Sequence, residues 1–456
     1  MAAPSPDQSI ADLLSRSLQA AGVTRVFGAP SSDIVGIPGL RHLRVDDPVL
    51  AALLADAHGR VTGGAHPGAA LLPGGRLRVG SQPGLAVDAV TVSDAHLLPE
   101  LIAAAGHGPG FNAVELVLDL DLDAPAPDDV EPVTFGPSGR HVTLSPTLAD
   151  LGLIVLAGSG VVRAGATEAL RTFAAQTGLL VATTLGAVGV LPADDPQFAG
   201  VVGVQDEDFA LAGITEAPVV VAVGVDPAEA PADRWAHRQV LEVEPAQLGA
   251  LAYNWPAPEG PAPVSPLRDA LDELVATLGR QSSVPLTPAR AVVDLVATRP
   301  RGSIITADPG PAALWFARAA ALDDPSSVAL PAVGLHGFAV AGAMAAALDE
   351  RPAIAVTTHP FDAVTEALLE LAGLVGSRFT IVEWGADVEW AEATAHRAAL
   401  RTAFGTTASA TEPADGITHV PVPVDLALTR ALFDAVGPAT AWQPSPRPAY
   451  DWRDPS

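Results

Sequence analysis

The residues best placed to do chemistry are a histidine and several carboxylates that follow apolar runs. Pro352-Ala-Ile-Ala-Val-Thr-Thr358 leads into Thr358-His359-Pro360, and Phe379-Thr-Ile-Val382 leads into Glu383-Trp384-Gly385. With His336, Asp387 and Glu389, these residues could gather into a cluster of imidazoles and carboxylates at the carboxyl edge of a sheet, where ligands of open α/β sheets bind. His359 is then a candidate for proton transfer, and Glu383 and Asp387 are candidates for a metal. The plainer alternatives are a solvated charged loop over Glu383 to Glu389 and a structural histidine in a turn. A second candidate, Gly158-Ser159-Gly160, follows the run Leu153-Ile-Val-Leu-Ala157. It could meet a nucleotide phosphate at a helix N-terminus, or serve only to let a helix pack closely on a strand.

The elements that must position these residues alternate between strand and helix along the chain. Ser9 to Ala21 is an amphipathic helix with Ile10, Leu13, Leu14, Leu18 and Ala21 on one side. A strand over Thr24 to Phe27, a strand over His42 to Val45, a helix over Pro48 to Gly59 and a strand over Ala113 to Leu118 follow. The span from Gly64 to Ser93 reads as a Gly/Pro-rich loop, and Asp121 to Pro137 as a linker. A second unit has strands at Leu153, Leu179 and Pro218 with a helix over Ala166 to Gly178, and a Pro-rich linker spans Trp255 to Pro266. The third unit opens with Thr287-Pro-Ala-Arg290, proline at the first turn of a helix. A strand over Gly302 to Thr306 then leads to Asp308-Pro-Gly310, and a small-residue helix covers Gly334 to Leu348. Continuous apolar strands separated by helices imply parallel sheets covered on both faces.

Composition narrows the partners. The chain has 456 residues, enough for about three domains of roughly 150 residues each, and 49% of them are hydrophobic. Its net charge of −27 comes with no lysine, so every fixed cation is arginine. Such a negative field disfavours nucleic acid and anionic membranes. The absence of cysteine excludes disulfides and thiolate chemistry and agrees with a cytoplasmic location. No secretory signal is visible in Met1 to Ile10, and no uncharged apolar run reaches the roughly 18 residues of a membrane helix.

Three stretches, in order, resemble the acetolactate synthase large-subunit branch of the thiamine diphosphate (ThDP) enzymes. They are Ala20-Ala-Gly-Val-Thr-Arg-Val-Phe-Gly-Ala-Pro30; Leu156 to Gly165 with Thr183-Thr184 and Gly200-Val-Val-Gly203; and Leu286 to Arg290 with Asp308-Pro-Gly310, Trp315, Gly334-Leu335 and Gly337-Phe338. The resemblance implies an α/β fold of three doubly wound parallel-sheet domains. These are a shortened pyrimidine-binding-like domain (1–125), a central domain (138–254) and a diphosphate-binding-like domain (284–440), with a linker and connecting helix (255–283) before the last and a Pro-rich tail (441–456) after it. It points to Asp308, Gly310, Gly334, Thr358 and His359 as the positions beside the cofactor, and to ThDP and Mg2+ as the family cofactors.

The family signatures are altered at those positions. Thr358-His359-Pro360 stands where the family has Gly-Asp-Gly, and Glu383-Trp384-Gly385 where a strand ends in Asn-Asn. Pro311-Ala312 replaces polar residues, and Pro48 falls at the activating glutamate, with Asp46 and Asp47 as shifted carboxylates whose plainer role is to cap and charge a helix. Central domains that carry FAD have an arginine where Val225-Asp226 stand here. The expectation is a family member that has lost the usual Mg-ThDP site, with no cofactor bound, acting as a non-catalytic partner or repurposed enzyme. Two alternatives stand beside it: an active ThDP-dependent carbon–carbon lyase or ligase on a 2-oxo acid with a nonstandard anchor, and a subunit completing a hetero-oligomeric ThDP enzyme. A homodimer, or a hetero-oligomer with a related chain, is the expected assembly.

Overall fold

Strands of Val, Ile, Leu and Ala that are apolar on both faces need cover on both faces. In the structure, a computed structural model, helices supply it. The structure describes residues 9–442 apart from 30–36, 38, 81–88, 108–113, 135–143, 252–254, 257–259, 261–263 and 409–415. Residues 1–138 form one unit and Gly139–Gln443 another.

The first unit holds strands β1 (Arg25–Gly28), β2 (Arg41–Leu43), β3 (Ala69–Leu72), β4 (Arg76–Val79), β5 (Ala89–Val92) and β6 (Val114–Leu118) in the order β2-β1-β3-β4-β6-β5. β4 runs antiparallel to both its neighbours, so this sheet is mixed. The expected loop over 64–93 is therefore corrected in part: Ala69–Leu72 and Arg76–Val79 pair as a hairpin. Gly74 and Gly75 turn it at φ of 76° and 69°, values that glycine adopts without a side-chain clash. Residues 81–88 of that span lie outside the described ones. Arg78 and Arg76 of β4 bind the buried Glu115 of β6 at 2.7 and 2.9 Å. The helix Ile10–Ala20 starts with a capping box between Ser9 and Asp12. The segment read as a linker docks on it, since Ile10 N–H donates to Ala124 C=O and Ala11 N–H to Leu122 C=O. Residues 135–137 of that linker are not among those described.

The second unit carries two wholly parallel sheets. One has β7 (Leu153–Ala157), β8 (Leu180–Thr183), β9 (Phe198–Val201), β10 (Val219–Val223) and β11 (Gln239–Val243) in the order β11-β10-β7-β8-β9. The other has β12 (Ile304–Ala307), β13 (Val328–Ala329), β14 (Ala353–Thr358), β15 (Thr380–Trp384) and β16 (Thr418–Val422) in the order β13-β12-β14-β15-β16. In each, strand order reverses once, between β7 and β10 and between β12 and β14. The small-residue helix Phe338–Leu348 is buried nearly throughout and packs on β12 and β14. Trp442 Nε1–H donates to Pro331 C=O, and the rest of the expected tail, 443–456, falls outside the described residues. No helix among the described residues is long and apolar enough to cross a membrane.

A buried ion pair joins the elements of these two sheets. Arg318, on the helix Pro311–Ala319, donates to Asp208 Oδ2 at 3.2 Å, to Gln205 Oε1 at 2.9 Å and to Val201 C=O, and neither charged side chain reaches solvent. Asp208 also accepts the N–H groups of Val204 and Gln205. Removing one partner of such a pair leaves an uncompensated buried charge, whereas replacing both by apolar groups does not. Arg318→Ala is expected to lower the free energy of urea unfolding by about 3–5 kcal/mol. Arg318→Met with Asp208→Asn, whose Oδ1 can still accept the Val204 and Gln205 N–H groups, should recover part of that loss in the same assay.

Candidate functional site

A parallel sheet opens a crevice at the carboxyl ends of its strands where the strand order reverses. In the third sheet that point lies between β12 and β14, and it sets Asp308-Pro-Gly310 beside Thr358-His359-Pro360. Ala307 pairs with Val356, and Asp308 N–H donates to Val356 C=O at 3.0 Å. Gly310 has φ of 102° and open space where a Cβ would stand. It caps the helix Pro311–Ala319, in which Pro311 is at the first turn and Ala312 is buried.

Asp308 is a buried carboxyl. Desolvation pushes its pKa up to about 6, against the opposing pull of hydrogen bonds from Ala339 N–H (2.8 Å) and the Thr357 side chain. The neighbouring Asp362 raises it further, and His336 lowers it. Asp308 thus takes up the Ala339 amide at the start of the helix Phe338–Leu348.

The turn after β14 is held at several points. His359 N–H donates to Trp384 C=O at 2.8 Å, and Asp362 caps the helix Ala363–Leu374 by accepting Thr365 N–H. His359 Nδ1 lies 2.6 Å from Glu383 Oε1, and His419 Nε2 lies 2.8 Å from Glu383 Oε2. Phe361 packs against the His419 ring at 5.8 Å between centroids.

The expected cluster is thus partly assembled. His359 and Glu383 meet, His336 instead faces Asp362 at 3.5 Å, and Asp387 and Glu389 are exposed beyond β15. His419 carries no signal of its own in the sequence. It sits on β16, opposite Ile381 of β15, and only that strand pairing brings it to Glu383.

The other candidates have local roles. Gly334 faces backbone, because a Cβ there would lie 2.4 Å from Trp442 C=O. Trp384 is buried and stacks on Phe316 at 5.8 Å. Asp47 caps the helix Pro48–Val61 by accepting Val49 N–H at 2.7 Å, and Asp46 pairs with Arg44 at the surface. In the second sheet, Gly158 and Gly160 press on Gly224: Gly160 N–H donates to Gly224 C=O, and a Cβ on Gly158 would come within 2.4 Å of that oxygen. The glycine turn is filled by backbone, as in the packing reading.

The donor set at the third sheet can be compared with what Mg2+ and a diphosphate need, namely oxygen ligands and bare amides. Both Glu383 oxygens are engaged by imidazoles, the Asp308 carboxyl is buried against Ala339, and Pro360 has no N–H to offer. Among the described residues no three His, Cys, Asp or Glu side chains gather to hold a metal. The residues present do not reproduce the family's magnesium–diphosphate signature.

Comparison with known proteins addresses the family. Residues 152–251 match the model described as thiamine pyrophosphate enzyme, central domain. The chain is 27% identical over 230 residues to a probable acetolactate synthase large subunit of Methanocaldococcus jannaschii, covering 42% of this chain and 38% of that protein. It is 27% identical over 191 residues to glyoxylate carboligase of Escherichia coli O157:H7, covering 35% and 30% respectively. It therefore spans less than two fifths of the length of each of these curated relatives. A solved structure of a putative thiamin diphosphate-dependent enzyme from Mycobacterium smegmatis superposes with a TM-score of 0.63, covering 91% of this chain and 99% of that one at 16% identity. These matches overturn the expectation that no cofactor serves this chain, because the family they indicate works with thiamine diphosphate. By its central-domain match, its two partial relatives and its three-sheet α/β fold, the chain is similar to thiamine diphosphate-dependent enzymes.

Proposed function

We propose that this chain is a ThDP-dependent enzyme that makes or breaks a carbon–carbon bond next to the carbonyl of a 2-oxo acid, working at the crevice between β12 and β14. The observation that carries this reading is the chemistry named in its two curated relatives, a synthase of acetolactate and a carboligase of glyoxylate. The crevice supports it with groups suited to such chemistry, namely a buried carboxyl at Asp308, an open glycine at Gly310 and a half-exposed imidazole at His359. The altered residues at Thr358-His359-Pro360 and Trp384-Gly385 mean that the anchoring of the cofactor differs from the family pattern.

The same alterations favour a second reading, in which this chain is a non-catalytic subunit that completes the site of a related chain. Calorimetric titration with ThDP and Mg2+, together with carbon dioxide release from pyruvate and glyoxylate, separates the two. The first reading expects binding near the micromolar range, about −8 kcal/mol, and turnover by the isolated chain. Turnover that appears only after a related, intact chain is added supports the second, and neither binding nor turnover in any combination contradicts both.

Asp308 supplies a pH test. Its folded-state pKa of about 6 lies above the ordinary carboxyl value of 3.8, so the native state keeps a proton that the unfolded chain gives up. Its contribution to stability is present at low pH and is lost as pH rises through about 4 to 6. Native stability is expected to fall by about 3 kcal/mol across that window relative to Asp308→Asn, whose amide can still accept the Ala339 N–H. Urea unfolding of both proteins between about pH 4 and 7 measures the difference. The same variant should abolish turnover under the first reading.

A further inference from the structure

The loop that joins β13 to the helix Phe338–Leu348 runs along the carboxyl edge of the third sheet. That helix packs on both β12 and β14, so the loop ends above the place where the order of those strands reverses. Just beyond the loop, Ala339 N–H donates to Asp308 Oδ1 at 2.8 Å, and within it His336 lies 3.5 Å from Asp362 on the turn after β14. The loop thus reaches from the β12 side of the crevice to the β14 side. Asp308, beneath it, is 3% exposed and feels the charges of both His336 and Asp362. Little holds the span from within. Among the described residues, the backbone hydrogen bonds inside 332–336 come down to Leu335 N–H on Val333 C=O at 2.9 Å, and Gly334 and His336 are exposed. Gly337, at φ of 83°, marks where the span meets the buried helix. Segments with few backbone bonds and few buried contacts open far more readily than the core.

The fastening comes from the end of the second unit. Residues 436–441 lie along the loop after β9. Glu207 N–H donates to Val436 C=O, Asp206 N–H to Pro438 C=O, and the N–H groups of Thr440 and Ala441 both to Val204 C=O. From this anchored stretch Trp442 reaches the loop after β13. Its Nε1–H donates to Pro331 C=O at 2.7 Å, and its own C=O lies over Gly334, where a Cβ would come within 2.4 Å of it. Trp442 has φ of 64°, a left-handed backbone that a residue with a bulky side chain keeps only while its surroundings hold it there. Letting go of Pro331 relieves that conformation, which suits the contact to opening as well as to closing.

We propose that residues 331–337 are a lid over the crevice between β12 and β14, and that Trp442 is the strap that holds it shut. Gly334 is the seat for the strap, since any side chain there would push the Trp442 carbonyl away. His336 and Asp362 fasten the opposite flank, and as an exposed pair they do so weakly. The lid serves whatever the crevice binds, so its test is separate from that of the proposed reaction.

Hydrogen exchange of the full chain, followed by mass spectrometry over 332–337, tests the strap from both sides. Trp442→Phe keeps a ring and loses the donor, while Gly334→Ala leaves Trp442 in place and sets a methyl group against its carbonyl. Loss of one hydrogen bond should speed exchange over 332–337 by about two- to tenfold in Trp442→Phe. Gly334→Ala should have at least as large an effect, with exchange in the helix interior, 342–348, kept at the wild-type rate in both variants. Cover of the crevice is read at Asp308, through carbodiimide coupling of glycine ethyl ester located by mass spectrometry. Its labelling should rise with the exchange in both variants. Unchanged exchange over 332–337 in either variant, or acceleration spread equally through 342–348, overturns the strap. Faster exchange over 332–337 with unchanged labelling of Asp308 overturns the lid.

Discussion

The reversal of strand order between β12 and β14 is the constraint on which the candidate site depends. A strand order that reverses in a parallel sheet sends the two flanking connections to opposite faces and opens a gap at the carboxyl edge. Asp308, Gly310, Thr358 and His359 reach one place because Ala307 pairs with Val356 across that gap. The equivalent reversal in the second sheet, between β7 and β10, has the opposite outcome. There Gly158 and Gly160 meet Gly224 at backbone distance, and the gap is taken up by close packing.

Around the open reversal, polar groups are arranged to bury charge without stranding it. Glu383 is enclosed and satisfied by two imidazoles, and Asp308 is enclosed and satisfied by an amide and a hydroxyl, at the cost of a raised proton affinity. Buried polar groups of this kind persist only when their partners are in place. The edge of the third sheet is in this sense tightly specified, even though its sequence departs from the family signature at Thr358–Pro360 and Trp384–Gly385.

Much of the fold was legible in the sequence, because parallel strands buried on both faces are written as unbroken apolar runs. β7, β10, β12, β14 and β15 could be read that way, and so could the helices flanked by Asp or Thr caps and early prolines. The hairpin of β3 and β4 was not. Its strands are four residues each, rich in alanine and arginine and parted by Pro-Gly-Gly, and what commits them to a sheet is the tie from Arg76 and Arg78 to Glu115, far along the chain. The docking of residues 122–124 on the first helix was hidden for the same reason, since its hydrogen bonds are made by backbone and leave no pattern in side chains. In the site, His359 with Glu383 could be anticipated from strand ends, but His419 could not, because only the pairing of β16 with β15 carries it 36 residues back to Glu383. The misjudged cofactor has a similar origin: altered side chains in one loop spoke for a loss, while the similarity to thiamine pyrophosphate enzymes lies elsewhere, over residues 152–251.

Where the cofactor lies decides whether the crevice is the working site. A crystal structure of this chain grown with ThDP and Mg2+ is predicted to show the diphosphate in the crevice between β12 and β14, beside Gly310 and Thr358 and within reach of His359. A structure obtained at saturating ThDP in which that crevice holds no cofactor, or in which the diphosphate lies elsewhere on the chain, would contradict that assignment.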